Sequence, residues 1–404
     1  MTAVDAVITA MAVRTSVGDT IEELAAALRD GRGGIRAASL PDAARVSAAA
    51  YLPGPADEPE LVLSGRSTRP TRTAVRVARE AATAAGLGPG ALARTAIVIG
   101  GNNLALDYQA QVAVRMSCGD GRVRPSHALA HLDVDAVGAV SEATGATAEG
   151  CLIGGASASG TLALIHACRL LALDAADHCL VVGALAELSV AEYRALADSG
   201  ALAAASDEPP GDVCRPFDSG RRGFVHGHGT AAVVLERAGT ARARGARPLA
   251  AITGLAQRLD GKRGTRPSAD GQAATIAAAL ESAGLLPGDV DYVNAHATGS
   301  QLGDATEAES LARVFGAGPL VNATKELTGH CLSGSGVIEA VATVIQLRDG
   351  FCHPNPNLRS PADPRVSYVG RKAVDAPLRV ALSTSFAFSG INSAIIVTRS
   401  VQDD

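Results

Sequence analysis

Seven small residues, Gly154-Gly155-Ala156-Ser157-Ala158-Ser159-Gly160, run without a break into a helical segment that is apolar nearly all round. Leu162, Leu164, Ile165, Ala167, Leu170 and Leu171 leave it no polar stripe. A helix of that kind has no side to give to water, so it belongs in the middle of a layered protein. A fainter copy of the pattern returns at 333–347, where small residues again lead into a buried helix. The echo fits two halves of similar architecture.

The surrounding pattern supplies the layers. Short, β-branched, glycine-bounded runs predict strands at 4–10, 95–99, 178–182, 229–235, 249–253, 292–295, 319–322, 378–383 and 393–397. Helical periodicity predicts helices at 20–28, 72–85, 160–173, 190–197, 271–283, 305–315 and 336–348. Strands alternating with helices indicate an α/β fold with buried sheets. The stretch 237–247, broken by Gly and Arg, reads as the join between the halves, 1–245 and 246–404.

Composition narrows the class. Hydrophobic residues make up 47% of the 404, against 19% charged, which excludes a disordered chain. Aromatics are 3%, with no Trp, and 44 residues are Gly, so the core must be built from small and aliphatic side chains. The net charge of −5 argues against nucleic acid as the main partner. The first basic-looking stretch, 66–79, reads as the solvated face of a helix. Seven cysteines, without CxxC spacing and odd in number, point away from disulfides and zinc and toward a reducing cytoplasm. No apolar run is long enough for a membrane span, and no signal peptide is expected. The sequon Asn322-Ala323-Thr324 has no meaning in a cytoplasmic chain.

Four places can carry chemistry. Ser157 stands at the start of the buried helix, in a positive end-field beside unpaired N–H groups. That suits a nucleophile or an oxyanion, and equally an ordinary N-cap. A hydrolase elbow is nearly present, but Ser159 stands where its second Gly belongs. Neither a P-loop nor a Rossmann glycine motif is found. His296, in Asn294-Ala295-His296-Ala297-Thr298-Gly299, lies just past a strand end, where open α/β sheets place catalytic groups and where a surface histidine also fits. Lys325 and His330 precede a glycine-rich turn. Phe386-Ala387-Phe388-Ser389-Gly390 spends two of six Phe residues beside a Gly/Ser turn, as a pocket wall or as packing. His226 and His228 alternate on a predicted strand; without a third ligand they read as packing, not metal.

In this order, the features resemble the β-ketoacyl-ACP synthase (ketosynthase) family of the thiolase fold, most closely its elongating type. The resemblance runs from Val7 to Val397 and includes Arg215-Pro216-Phe217-Asp218, Arg222-Gly223-Phe224-Val225 and the Pro/Asn pattern of 351–358. It implies two similar βαβαβαββ halves in a five-layered α/β/α/β/α core. It carries the family's catalytic positions onto Ser157, His296, His330 and Lys325. Ser157 and Phe388 fall at the oxyanion site, Phe386 and Phe388 at the gate, and Thr298 and Gly390 at the substrate. No cofactor and no metal are implied. The expected partner is an acyl carrier protein bearing a phosphopantetheine-linked malonyl or acyl group. A homodimer, or a heterodimer with a related ketosynthase, is also implied.

This chain departs from the family pattern at one decisive point: Ser157 occupies the place of the nucleophilic Cys. Cys151 lies six residues earlier and does not replace it. His228 stands where Glu is usual, and Ala387, Ser389 and Ile391 depart within the Phe loop. A helix-end field of roughly 0.3–2 kcal/mol moves a pKa by about one unit, far too little to ionise a serine hydroxyl. Ser157 as a nucleophile needs His296 or His330 as base. Decarboxylation needs no nucleophile, only donors aimed at the thioester carbonyl. The first expectation is therefore conversion of malonyl-ACP to acetyl-ACP and CO2. The second is a Ser-dependent acyltransferase or condensing enzyme working through an acyl-Ser157 oxoester. The third is a non-catalytic, chain-length-factor-like partner subunit, whose usual mark is loss of the His pair retained here.

Overall fold

A computed structural model describes residues 6–52, 67–119 and 121–400. Ten strands join into one mixed sheet. They are β1 (Ala6–Thr15), β2 (Thr95–Gly100), β3 (Gly150–Ile153), β4 (His178–Gly183), β5 (Gly229–Arg237), β6 (Ala250–Leu259), β7 (Tyr292–Asn294), β8 (Leu320–Asn322), β9 (Val380–Ala387) and β10 (Ile391–Arg399). Six helices complete the two repeats: α1 (Arg69–Ala84), α2 (Asp135–Thr144), α3 (Ser159–Ala172), α4 (Ala269–Ala283), α5 (Gln301–Phe315) and α6 (Ser335–Asp349). Positions 4–5 of the first expected strand and Arg66 of the basic stretch lie outside the described residues.

The strand order is β8-β7-β9-β10-β6-β1-β5-β4-β2-β3. Read outward from the centre, each half runs 1-5-4-2-3 in its own numbering. The pairings repeat as well. β1–β5 and β5–β4 are antiparallel, and β4–β2 and β2–β3 are parallel. In the second half β6–β10 and β10–β9 are antiparallel, and β9–β7 and β7–β8 are parallel. The halves meet where β1 and β6 pair over Ala6–Ile252, Val7–Ala251 and Ile8–Ala250. Both halves read βαβαβαββ, as the family resemblance implies.

Strand alternation then sorts side chains between layers. Ile97, Ile99, Leu180 and Val182 face outward onto Ala74, Ala78, Val137 and Val140 of α1 and α2. Val98 and Val181 face inward, into a core shared with Leu162, Ile165, Val337, Val341, Ile395 and Val397. On the far side Val293, Leu382 and Ile396 pack on Ile276, Leu280 and Leu311 of α4 and α5. The result is helix, sheet, helix, sheet, helix, with α3 and α6 in the middle.

The two middle helices cross at glycine. A Cβ on Gly160 would stand 2.9 Å from Val337 N, and one on Gly336 would stand 2.4 Å from Thr161 N. Small residues at these points let two backbones touch. Each helix is entered through a single 3₁₀ turn, Ala156–Ala158 and Leu332–Gly334, whose first residue is left-handed: Ala156 at φ 48° and Leu332 at φ 48°. A non-glycine residue in that region costs about 1–3 kcal/mol, which the surrounding structure must hold in place.

The basic stretch differs from expectation. Helix α1 buries Ala74, Val75, Val77, Ala78 and Ala81 and leaves its arginines at the rim, so it is a layer helix more than a solvated face. Among the described residues no helix is long and apolar enough to cross a membrane.

Candidate active site

The strained turn at Ala156 lifts Ser157 into a cleft of about 230 Å3. Ser157 is half-buried, at the entry to α3. Its Oγ lies 2.8 Å from His330 Nε2, which arrives from the other half of the chain. His296 lines the same cleft from the turn after β7. The two imidazole rings stand 5.6 Å apart at 84°, edge to face. Thr298, Phe386 and Phe388 also line the cleft. Phe386 is buried against the His296 ring at 6.3 Å, whereas Phe388 is 42% exposed at the mouth.

Two of the expected site residues stay outside the cleft lining. Gly390 is buried at φ 68° and accepts a hydrogen bond from Asp260 N at 2.9 Å, so it anchors the Phe loop to the end of β6. Lys325 is fully buried behind the histidines and ion-paired with Glu339 of α6. Lys325 has its ion pair with Glu339, and the hydrogen bond on His330 Nδ1 is with Ser335 Oγ at 3.0 Å. Lys325 acts on both rings through its charge. Burial pushes His296 and His330 well below the usual imidazole range, and the nearby ammonium pushes the same way. Both rings are therefore neutral at physiological pH.

Two carboxylates, unmarked by the sequence reading, hold the His296 turn. Glu307 accepts from His296 N at 2.8 Å, from Ala297 N at 2.7 Å and from Thr384 Oγ1 at 2.8 Å. Asp304 accepts from Thr298 N at 3.1 Å, Gly299 N at 3.0 Å and Phe217 N at 2.8 Å. They lie three apart on α5, so both face the turn. Burial raises Glu307 to about 7 and Asp304 to about 6. The available signal was a pair of acids inside a helix that starts five residues after a histidine. His296 Nδ1 is buried and has no hydrogen-bond partner among the described residues.

The remaining candidates resolve into packing. His226 Nδ1 bonds Tyr193 Oη at 2.6 Å and its Nε2 bonds Ala186 O at 3.2 Å, while His228 Nδ1 lies 3.2 Å from Arg69 Nη1. They lie just before β5 and not on a strand. Among the described residues no three metal-ligating side chains converge. Cys151 sits on the edge strand β3. Cys331 follows His330 in sequence but is buried, and burial pushes its thiol up to about 12. It offers no thiolate near neutral pH.

What converges is two neutral imidazoles and a hydroxyl at one end of an apolar cleft, with a bulky aromatic at the mouth. This geometry can donate hydrogen bonds to a carbonyl oxygen as charge develops there. Residues 4–241 match the beta-ketoacyl synthase N-terminal domain and residues 249–359 its C-terminal domain. The polyketide biosynthesis malonyl-ACP decarboxylase PksF of Bacillus subtilis (strain 168) is 35% identical over 399 residues, 97% of this chain and 96% of its own. The crystal structure of a beta-ketoacyl synthase from Burkholderia phymatum STM815 superposes with a TM-score of 0.90 at 29% identity, covering 98% of this chain and 100% of that one. A type II polyketide ketosynthase solved with its acyl-carrier protein, AntDE:AntF, gives 0.87 at 25% identity, covering 98% and 99%. The chain belongs to the beta-ketoacyl synthase family.

Proposed function

We propose that the protein decarboxylates malonyl-ACP to acetyl-ACP and CO2, with Ser157 in the place of the family's nucleophilic cysteine. The observation that carries this reading is the neutral pair His296 and His330, 5.6 Å apart at the cleft beside the Ser157 hydroxyl. The thioester carbonyl oxygen sits between the two Nε2–H groups. The bond from the malonyl α-carbon to its carboxylate breaks, and its electron pair moves into the thioester to give an enolate on that oxygen. CO2 leaves, and the α-carbon takes one proton to give acetyl-ACP. The two donors stabilise the enolate, and a charged imidazolium is not required. The full-length likeness to a malonyl-ACP decarboxylase supports the same reading.

In this reading Thr298 contacts the substrate, Phe386 and Phe388 form the gate, and Ser157 and Phe388 flank the carbonyl. Lys325 keeps the histidines neutral. Residues 1–245 contribute Ser157, and residues 246–404 contribute His296, Lys325 and His330. The partner is an acyl carrier protein in the cytoplasm, and the protein works as a dimer with itself or with a related ketosynthase.

A second reading has one observation in its favour. Ser157 Oγ is close enough to His330 Nε2 for the ring to take its proton and so form an acyl-Ser157 ester. One assay separates the two. Malonyl-ACP is supplied, and both the ACP species and the protein mass are followed. Decarboxylation gives acetyl-ACP without a protein adduct, and it persists in Ser157→Ala. An adduct that Ser157→Ala abolishes supports acyl transfer. If no acetyl-ACP forms and no adduct appears, a non-catalytic partner subunit is left.

A further inference from the structure

We propose that Ser335 sets the tautomer of His330: its hydroxyl donates to Nδ1, so the ring proton sits on Nε2 and points at Ser157 and the cleft. The pair is enclosed, with His330 2% exposed and Ser335 3%. The Ser335 Oγ to His330 Nδ1 distance is 3.0 Å, and among the described residues it is the one hydrogen bond that this hydroxyl makes. Two arrangements share that distance. If Nδ1 carried the proton, Ser335 would accept, and its own hydroxyl hydrogen would be buried without an acceptor. If Ser335 donates, every buried hydrogen of the pair has a partner, since Nε2–H then meets Ser157 Oγ at 2.8 Å. An unmet buried donor is the costlier state, so the second arrangement holds.

The internal repeat sharpens the point. Ser159 is the counterpart of Ser335, the first residue of the other central helix. Its hydroxyl donates to Ala156 O at 2.7 Å and to Asn102 Oδ1 at 3.2 Å and accepts from Gly155 N at 2.9 Å, so it ties its own turn to the loop after β2. Among the described residues the Ser335 hydroxyl bonds no such acceptor and is turned onto the imidazole instead. The position that caps a turn in one half therefore orients a ring in the other.

The consequence for chemistry rests on the decarboxylase reading. With its proton on Nε2, His330 is a donor to the enolate oxygen. The same ring cannot take the Ser157 proton, because the nitrogen facing that hydroxyl is already protonated. Ser335 is thus a positioning residue that favours decarboxylation over acylation of Ser157.

The test reads the proton directly. Full-length protein labelled with ¹⁵N-histidine is examined by NMR, and the His330 signals are those missing in His330→Asn. The expected result is a bare Nδ1 and a protonated Nε2 in the unaltered protein. A protonated Nδ1 there overturns the proposal, whatever the variants do. Ser335→Ala is expected to mix the tautomers and lower kcat for acetyl-ACP formation roughly ten-fold with KM unchanged, short of the ~10²-fold cost of deleting a donor outright. Ser335→Thr, which keeps the hydroxyl, is expected to restore tautomer and rate. Unchanged tautomers in Ser335→Ala would also overturn the proposal. If the unaltered protein forms no acetyl-ACP, the decarboxylase reading fails while the NMR result still decides the tautomer.

Discussion

Ser157 Oγ and His330 Nε2 lie 2.8 Å apart although 173 positions separate them in the chain. Ser157 stands in the entry turn of α3 and His330 two residues before that of α6, and each turn depends on a left-handed residue, Ala156 or Leu332. The contact therefore forms only when α3 and α6 are packed against each other. Site and core are one construction: the small residues that let the helices cross also bring the two side chains together.

If the histidines stabilise an enolate, removing either should be felt in kcat. His296→Ala and His330→Ala are each expected to lower acetyl-ACP formation by about 10²- to 10³-fold, with Ser157→Ala close to unaltered. Radiolabelled malonyl-ACP and CO2 capture measure this. Burial and the Lys325 charge hold both rings well below the usual imidazole range. The rings themselves should therefore put no limb into the rate near pH 6.5, where a free imidazole titrates. Glu307, raised to about 7, and Asp304, raised to about 6, titrate in that window, so a limb there that persists in Glu307→Gln and Asp304→Asn would mean that one ring must change charge.

Ser157→Cys tests whether the helix start can activate a thiol. Burial raises Cys168 and Cys331 to about 12. A thiol at 157 is half-exposed, at a helix entry, beside an imidazole. Iodoacetamide at neutral pH, read by peptide mass, should modify position 157 well before Cys168 or Cys331. The variant should also take up an acyl group from acyl-ACP that the unaltered protein does not retain. Modification of position 157 no faster than Cys331 would reject the electrostatic argument.

His353 is fully buried, with Nδ1 donating to Pro354 O at 2.8 Å and Nε2 3.2 Å from Thr324 Oγ1. Burial lowers it to about 4. Its folded pKa is thus below its unfolded value, and the sign follows. Above about 6.5 neither state is protonated and its contribution is intact. As pH falls toward 4, only the unfolded chain takes up the proton, and stability is lost, by about 3 kcal/mol at the limit. Urea unfolding at several pH values should show the advantage of the unaltered protein over His353→Gln shrinking across that window. A constant difference would show that His353 does not titrate on unfolding.

Much of the fold was legible because burial leaves periodic marks. All nine expected strands and all seven expected helices are present, with ends moved by a few residues. The strand Gly150–Ile153 went unread because four residues beside the glycine-rich entry carry no alternation. Helix Asp135–Thr144 was missed because its apolar stripe, Ala136, Val137, Ala139 and Val140, is short and built largely of Ala. At the site, Ser157, His296 and His330 stand at element ends, where sequence shows an unusual residue in a small-residue turn. Glu307 and Glu339 lie inside helices and Ser335 opens one, places where acids and serines are ordinary. Only the fold reveals that Glu307 holds a backbone turn, that Glu339 pairs with Lys325, and that Ser335 meets a ring.

Two helical glycines face opposite demands, Gly336 at the crossing of α3 and α6 and Gly138 on α2. A Cβ at 336 meets Thr161 N at 2.4 Å and Gly160 C at 3.0 Å, both backbone atoms that cannot turn aside. Gly336→Ala must push two buried helices apart, at a cost of about 1–3 kcal/mol or more. Gly138 lies inside helix α2 with nothing within 4 Å of its virtual Cβ. Gly138→Ala there gains helix propensity and loses unfolded-state entropy, a stabilisation of roughly 0.5–1 kcal/mol. Thermal unfolding should move in opposite directions for the two variants. The shift at 336 should be accompanied by lost acetyl-ACP formation, because spreading α3 and α6 separates Ser157 from His330. Equal and small effects at both positions would mean that the helices do not cross as closely as the backbone contacts require.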